Sequence, residues 1–175
     1  MPGAMSSLPL SGRRQPRTPL NSMTLIEKDG IRFLITDAPS NSNLHLYIKE
    51  FERHNVTDVV RCCEPTYSKE RLGKIQVHDW IFGDGEAPPV EIVNQWLNLV
   101  EERFSSDSSA CIATHCIAGL GRAPVLVALA LIERGMAPLD AVAYLRRVRP
   151  GCINKWQLEY IENYKRRSKS KCVIC

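Results

Sequence analysis

His115-Cys116-Ile117-Ala118-Gly119-Leu120-Gly121-Arg122 is the stretch on which the reading of this chain turns. Residues 110–114 before it are short and largely apolar, as in a buried strand. Residues 123–132 after it are apolar and long enough for a buried helix. Pro124 falls in that helix's first turn, where a missing N–H costs nothing. A glycine-bearing loop that runs into a helix N-terminus gathers unpaired amides and the positive end of the helix dipole, so it can cradle an anion. This cradle holds a thiol and a guanidinium with five residues between them.

The chemistry follows from those groups. Cys116, among converging amides and beside His115, is expected as the nucleophilic thiolate. A thiolate can attack phosphorus and form a cysteinyl-phosphate, which divides one difficult displacement into two easier ones. Arg122 presents a planar fork that matches two phosphoryl oxygens. The backbone of Ile117, Ala118, Gly119, Leu120, Gly121 and Arg122 is expected to bind the substrate phosphate and stabilise its developing charge. Cysteine and arginine at this spacing alone are a weak signal in a chain with seven cysteines. The preceding histidine, the internal glycines and the strand–loop–helix setting make it specific. A nucleotide-binding P-loop is excluded, because no Lys-Ser or Lys-Thr follows Gly121.

Outward from the loop, residues 23–27 and 31–36 flank Lys28-Asp29-Gly30 as a hairpin. Leu44, Tyr47, Ile48 and Phe51 recur at helical spacing, with Asn41, Ser42 or Asn43 available as cap. Residues 56–61 and 75–80 read as strands, and residues 90–104 as an amphipathic helix through Ile92, Val93, Trp96, Leu97 and Val100. Helices are also expected over 139–148 and 156–164. The alternation predicts an α/β fold: a central, mainly parallel twisted sheet flanked by helices, with the loop at the carboxyl end of a central strand.

A leaving alkoxide or phenolate needs a proton, and a carboxylic acid on a mobile loop is the usual donor. Asp84, between two glycines and thirty-two positions before Cys116, is the candidate. Asp79 reads as a structural residue at a strand end.

Bulk properties narrow the class. The net charge is +4, yet residues 165–171 alone carry five positive charges, so basicity belongs to the tail and the body is close to neutral. Nucleic-acid binding would want basic and aromatic residues interleaved on a folded face, and none is seen. The cysteines are odd in number and irregularly spaced, unlike a disulfide framework or a zinc site, and imply a reducing compartment. No apolar run reaches membrane-spanning length and no secretory signal opens the chain. No metal or other cofactor is expected. Three regions are expected: a disordered N-terminal extension (1–22), a phosphatase domain (23–164) and a polybasic tail (165–175).

The run from His115 to Ile132, with Val59-Val60-Arg61 and Cys62-Cys63-Glu64 upstream, closely resembles the phosphatases of regenerating liver. These are small prenylated members of the protein tyrosine/dual-specificity phosphatase superfamily, and the Gly-Leu-Gly-Arg-Ala-Pro core is the most specific part of the likeness. The resemblance implies the cysteine-phosphatase fold, hydrolysis of phosphate monoesters through a cysteinyl-phosphate, and a phosphoprotein substrate. The family's acid loop reads Trp-Pro-Phe-Asp-Asp-Gly-Ala-Pro-Pro, and its acid falls on Asp84. Here Ile81 replaces the proline, Gly83 replaces the first acid and Glu86 is added, which leaves Glu86 as an alternative donor. Relatives outside the family carry Ser or Thr after the loop arginine, where Ala123 stands. A hydrogen bond to the departing thiolate is worth about 1.5–3 kcal/mol, so its loss is expected to slow the second step roughly ten- to a hundredfold.

Cys63 is implied as a redox partner able to form a disulfide with Cys116. Cys172-Val173-Ile174-Cys175 has the prenylation form, with Cys172 as the lipidated residue and the basic tail as a second signal for an anionic membrane surface. The expected location is the cytoplasmic side of plasma or endosomal membranes when prenylated, and the cytosol or nucleus otherwise. Family members also bind CBS-domain magnesium-transport mediators through this pocket and can form homotrimers. The alternative reading is therefore a phosphatase-fold binding module that captures an acidic partner in its pocket. Arsenate-reductase or rhodanese chemistry fits less well, because of the acid loop and the position of Arg122.

Overall fold

A computed structural model describes residues 23–167, so the expected N-terminal extension and the Cys172 motif lie outside the described residues. Chain order is β1 (Thr24–Lys28), β2 (Ile31–Thr36), α1 (Leu44–Arg53), β3 (Val56–Arg61), a 3-10 segment (Lys69–Leu72), β4 (Gln76–Asp79), α2 (Val90–Ser106), β5 (Cys111–His115), α3 (Arg122–Glu133), α4 (Pro138–Val148) and α5 (Lys155–Asn163). β1 runs one residue further than expected. The hairpin turn is thus the two residues Asp29-Gly30, both at positive φ (50° and 79°), as a type I′ turn requires. Of the three cap candidates Asn43 takes the N-cap position of α1, but its side chain makes no capping bond to the helix; Asn43 Oδ1 instead accepts the Ser40 amide at 2.7 Å.

The five strands lie in the order β1-β2-β5-β3-β4. Only the β1–β2 pair is antiparallel. β5 is central and covered on both faces, which is why it has no polar/apolar alternation. On one face α1 and the 3-10 segment bury Leu34, Tyr47, Phe51, Val59, Tyr67 and Ala113. On the other, α2 to α5 pack over Phe33, Val60 and Ile112. α3 is surrounded: every residue from Arg122 to Ile132 is buried, so its sequence is apolar all round rather than striped. α2 is tied to it where Trp96 Nε1 donates to Leu126 O at 2.6 Å.

One buried charge cluster braces β3, β4 and α2 away from the loop. Fully buried Asp58 accepts from Arg103 Nε (2.6 Å), His78 Nε2 (2.9 Å) and Thr57 Oγ1 (2.6 Å). Burial alone would raise its carboxyl, but these hydrogen bonds outweigh it and hold the pKa down to about 2.

Candidate active site

Three parallel strands end side by side. His115 is in register with Thr36 of β2 and with Arg61 of β3. The chain leaving each strand therefore delivers Asp37-Ala38, Cys62-Cys63 and Cys116 to one place.

The loop from Cys116 to Gly121 is shaped by what its carbonyls do. Ile117 O accepts from the Ala38 amide (2.9 Å) and Leu120 O from the Ile153 amide (2.7 Å). Ala118 O and Gly119 O accept from the buried guanidinium of Arg149, through Nη2 at 3.4 Å and Nε at 2.5 Å. Four successive carbonyls are thus committed to the surrounding protein, which leaves the loop amides for an anion. Gly119 stands at φ 69°, and a Cβ there would collide with Thr36 and Arg149, so glycine is required twice over.

Cys116 is 3% exposed at the base of this loop. His115 does not supply it with a positive charge. Burial lowers the imidazole pKa to about 4, so the ring is neutral near pH 7. Its Nδ1 faces Cys116 O at 3.4 Å and Cys63 Sγ at 4.0 Å, and its Nε2 meets Tyr67 OH at 2.9 Å. Burial pushes the Tyr67 hydroxyl well up, so it keeps its proton to donate to Nε2 while Nδ1–H faces the carbonyl. Tyr67 is held in turn by Arg61, which donates to Tyr67 O (2.8 Å), lies 5.0 Å from the ring centroid and grips Asp79 with both Nε (2.5 Å) and Nη2 (2.9 Å). Asp79 is therefore committed to Arg61. Burial raises the thiols of Cys62, Cys63 and Cys152, and that of Cys111 to about 12.

Arg122 opens α3 and is 6% exposed. Its Nη1 donates to Phe82 O (3.1 Å) and Cys62 O (3.3 Å), and its Nη2 lies 3.6 Å from Asp84 Oδ1. Its Nε is buried and has no acceptor among the described residues. A buried donor left so costs about 1–3 kcal/mol, as befits a group kept for a ligand. The structure thus brings Asp84, 38 positions before Arg122 in sequence, against the loop arginine. Glu86 folds back over Gly83, where its carboxylate occupies the space a side chain would need, and Gly83 O accepts the Glu86 amide at 3.1 Å.

Some residues of the site escaped the sequence reading. Arg149, with Arg146 and Arg147, stood in the sequence as a candidate for the pocket rim or a solvated helix face; its loop-holding role was hidden because its partners Ala118, Gly119 and Thr24 are distant in sequence. Asn154 and Gln157 form a capping box at the start of α5, and Asn-x-x-Gln was a local signal that could have found it. Arg146 is structural, bonding Cys152 O and Ile153 O.

No family model matches the chain. Among curated proteins, it is 53% identical to a probable protein tyrosine phosphatase type IVA A of Dictyostelium discoideum, over 88% of this chain and 94% of that one. It is 51% identical to mouse protein tyrosine phosphatase type IVA 3 over 77% and 79%, and 46% identical to the PRL-1 phosphatase of Drosophila melanogaster over 84% and 85%. A solved protein tyrosine phosphatase structure from Leishmania major superposes with a TM-score of 0.75 at 41% identity, covering 82% of this chain and 99% of that one. The α/β architecture, the cysteine–arginine loop at its central strand and these identities agree: the chain belongs to the protein tyrosine phosphatase type IVA family, the phosphatases of regenerating liver.

Proposed function

We propose that this protein is a cysteine-dependent protein tyrosine phosphatase in which Cys116 is the nucleophile, the amides of 117–122 and the Arg122 fork bind the phosphoryl group, and Asp84 protonates the leaving oxygen. The observation that carries the reading is the buried, unpartnered Nε of Arg122 beside a loop whose carbonyls are all engaged elsewhere. A phosphoryl oxygen would accept from Nε and replace the long Asp84 contact at Nη2, freeing the carboxyl to act as donor. Transfer of phosphorus to Cys116 Sγ breaks the P–O ester bond as the leaving oxygen takes the Asp84 proton. Water then attacks the cysteinyl-phosphate, giving a proton to the Asp84 carboxylate, and the S–P bond breaks to release phosphate and regenerate the thiolate. Asp84 is preferred to Glu86 because its carboxylate, and not that of Glu86, stands against Arg122.

Turnover is slow in this reading, because Ala123 is fully buried and has no hydroxyl to offer the departing thiolate. Cys63 is the resolving thiol under peroxide; its support is the shared contact of His115 with Cys63 Sγ and Cys116 O. The three-region organisation, lipidation at Cys172, the membrane-facing location, a CBS-domain partner and a homotrimer are proposals that rest on the family likeness.

Mass spectrometry after brief exposure to p-nitrophenyl phosphate tests the mechanism. A phosphate adduct is expected on Cys116 in the unmodified chain and none with Cys116→Ser. An adduct elsewhere, or nitrophenol release that survives Cys116→Ser, would refute it.

A further inference from the structure

One helix terminus touches both loops of the site, and we infer that Asn154 and Gln157 are positioning residues that hold Asp84 in place beside Arg122. The inference rests on the assignment of Asp84 as proton donor. Asn154 Oδ1 accepts the Gln157 amide at 2.8 Å, and Gln157 Oε1 accepts the Asn154 amide at 3.1 Å. That reciprocal box uses both side-chain oxygens to cap α5. The two NH2 groups face the acid loop instead: Asn154 Nδ2 donates to Gly85 O at 3.0 Å and Gln157 Nε2 to Glu86 O at 3.2 Å. These carbonyls belong to the two residues that follow Asp84.

The same terminus grips the phosphate loop. The Ile153 amide donates to Leu120 O, and Gln157 packs so closely on Gly121 that a Cβ there would lie 3.2 Å from Nε2. Asp84 itself is 86% exposed and meets Arg122 at 3.6 Å, a contact too open to fix a loop alone. A helix cap needs only the oxygens: serine with glutamate would serve α5 equally well. Amides at both positions are explained by their second set of bonds, to the loop that bears the acid.

The double variant N154S/Q157E keeps a capping box and removes both NH2 donors. Its kcat/KM, which reports the steps up to cysteinyl-phosphate, is measured with p-nitrophenyl phosphate and with phenyl phosphate, whose poorer leaving group depends on protonation. Phenyl phosphate turnover is expected to fall about tenfold, part of the 10²- to 10⁴-fold that a general acid contributes. The nitrophenyl substrate should lose distinctly less than phenyl phosphate; the melting temperature of the double variant should fall, because the new carboxylate replaces a fully buried amide that faces Glu86 O. Asn154→Ser alone adds no charge and must move the ratio in the same direction. Equal losses on both substrates, or no selective loss, would overturn the inference. Asp84→Asn in the same assay separates the two levels: selective loss there but not in N154S/Q157E sinks the tether alone. No selective loss in Asp84→Asn sinks the acid assignment and the tether with it.

Discussion

Gly119→Ala probes the cradle most directly. The substitution forces a side chain into φ 69°, which costs about 1–2 kcal/mol of backbone strain. The new Cβ would also lie 2.5 Å from Arg149 Nη2 and 2.8 Å from the Thr36 carbonyl carbon, and closer still to Thr36 O. The backbone of β2 cannot yield, so the loop must move off Arg149. Losing a hydrogen bond from that guanidinium to the loop costs about 1.5–3 kcal/mol more. Together these amount to roughly 3–5 kcal/mol, and at about 2–4 °C per kcal/mol for a domain of this size the melting temperature should fall by about 10 °C. An ångström of displacement at the reacting centre costs on the order of 100-fold in rate, so the single-turnover burst of nitrophenol should fall by about that factor. Gly73→Ala is the control, since Gly73 has φ 61° but nothing within 4 Å of its would-be Cβ. At φ 61° and ψ −114° it should show a backbone cost of its own but an unchanged burst. If Gly119→Ala behaves like Gly73→Ala in both scanning calorimetry and burst rate, the account of the loop is wrong.

Other expectations follow from the same structure. Arg149→Lys keeps a charge but loses the fork that holds Ala118 O and Gly119 O, so thermal stability should drop by about 1.5–3 kcal/mol and the burst rate by at least about tenfold; an unchanged burst would count against a loop-holding role. His115 has a folded pKa near 4, below its ordinary 6.5, so its contribution is present above pH 6.5 and is lost as pH falls toward 4, at about 1.4 kcal/mol per unit. Asp58, held near 2 against 3.8, contributes in the same sense but loses its share only below 3.8, so urea denaturation between pH 7 and 4.5 should track His115 and flatten in His115→Gln. Ala123→Ser should speed phosphate release roughly ten- to a hundredfold and reduce the phosphocysteine seen by mass spectrometry; a rate that stays level would rule out the missing hydroxyl as the cause of slow turnover.

Much of the fold was legible because local physics sets it. The Asp29-Gly30 turn, the double-sided burial of β5 and the all-round apolar character of α3 follow from residues adjacent in the chain. So did the cysteine–arginine loop, since a strand, two glycines and a helix start are local features that together build an anion cradle. The contact of Asp84 with Arg122, which favours it over Glu86 as the proposed donor, exists only in the folded loop.

His115 was read only as a neighbour that favours the thiolate; its burial against Tyr67 keeps the ring neutral well below pH 7, so it brings the thiol no charge. The register of β2, β5 and β3 gathered Ala38, Cys63 and Cys116, and the return of α4 and α5 brought Arg149, Ile153, Asn154 and Gln157 to loops many residues upstream. Sequence alone marked out the groups proposed to carry the chemistry, because that is a matter of residue type and short-range backbone preference. Which groups hold them still, and with what charge, was decided by tertiary packing, since burial and long-range hydrogen bonds exist only once distant segments meet.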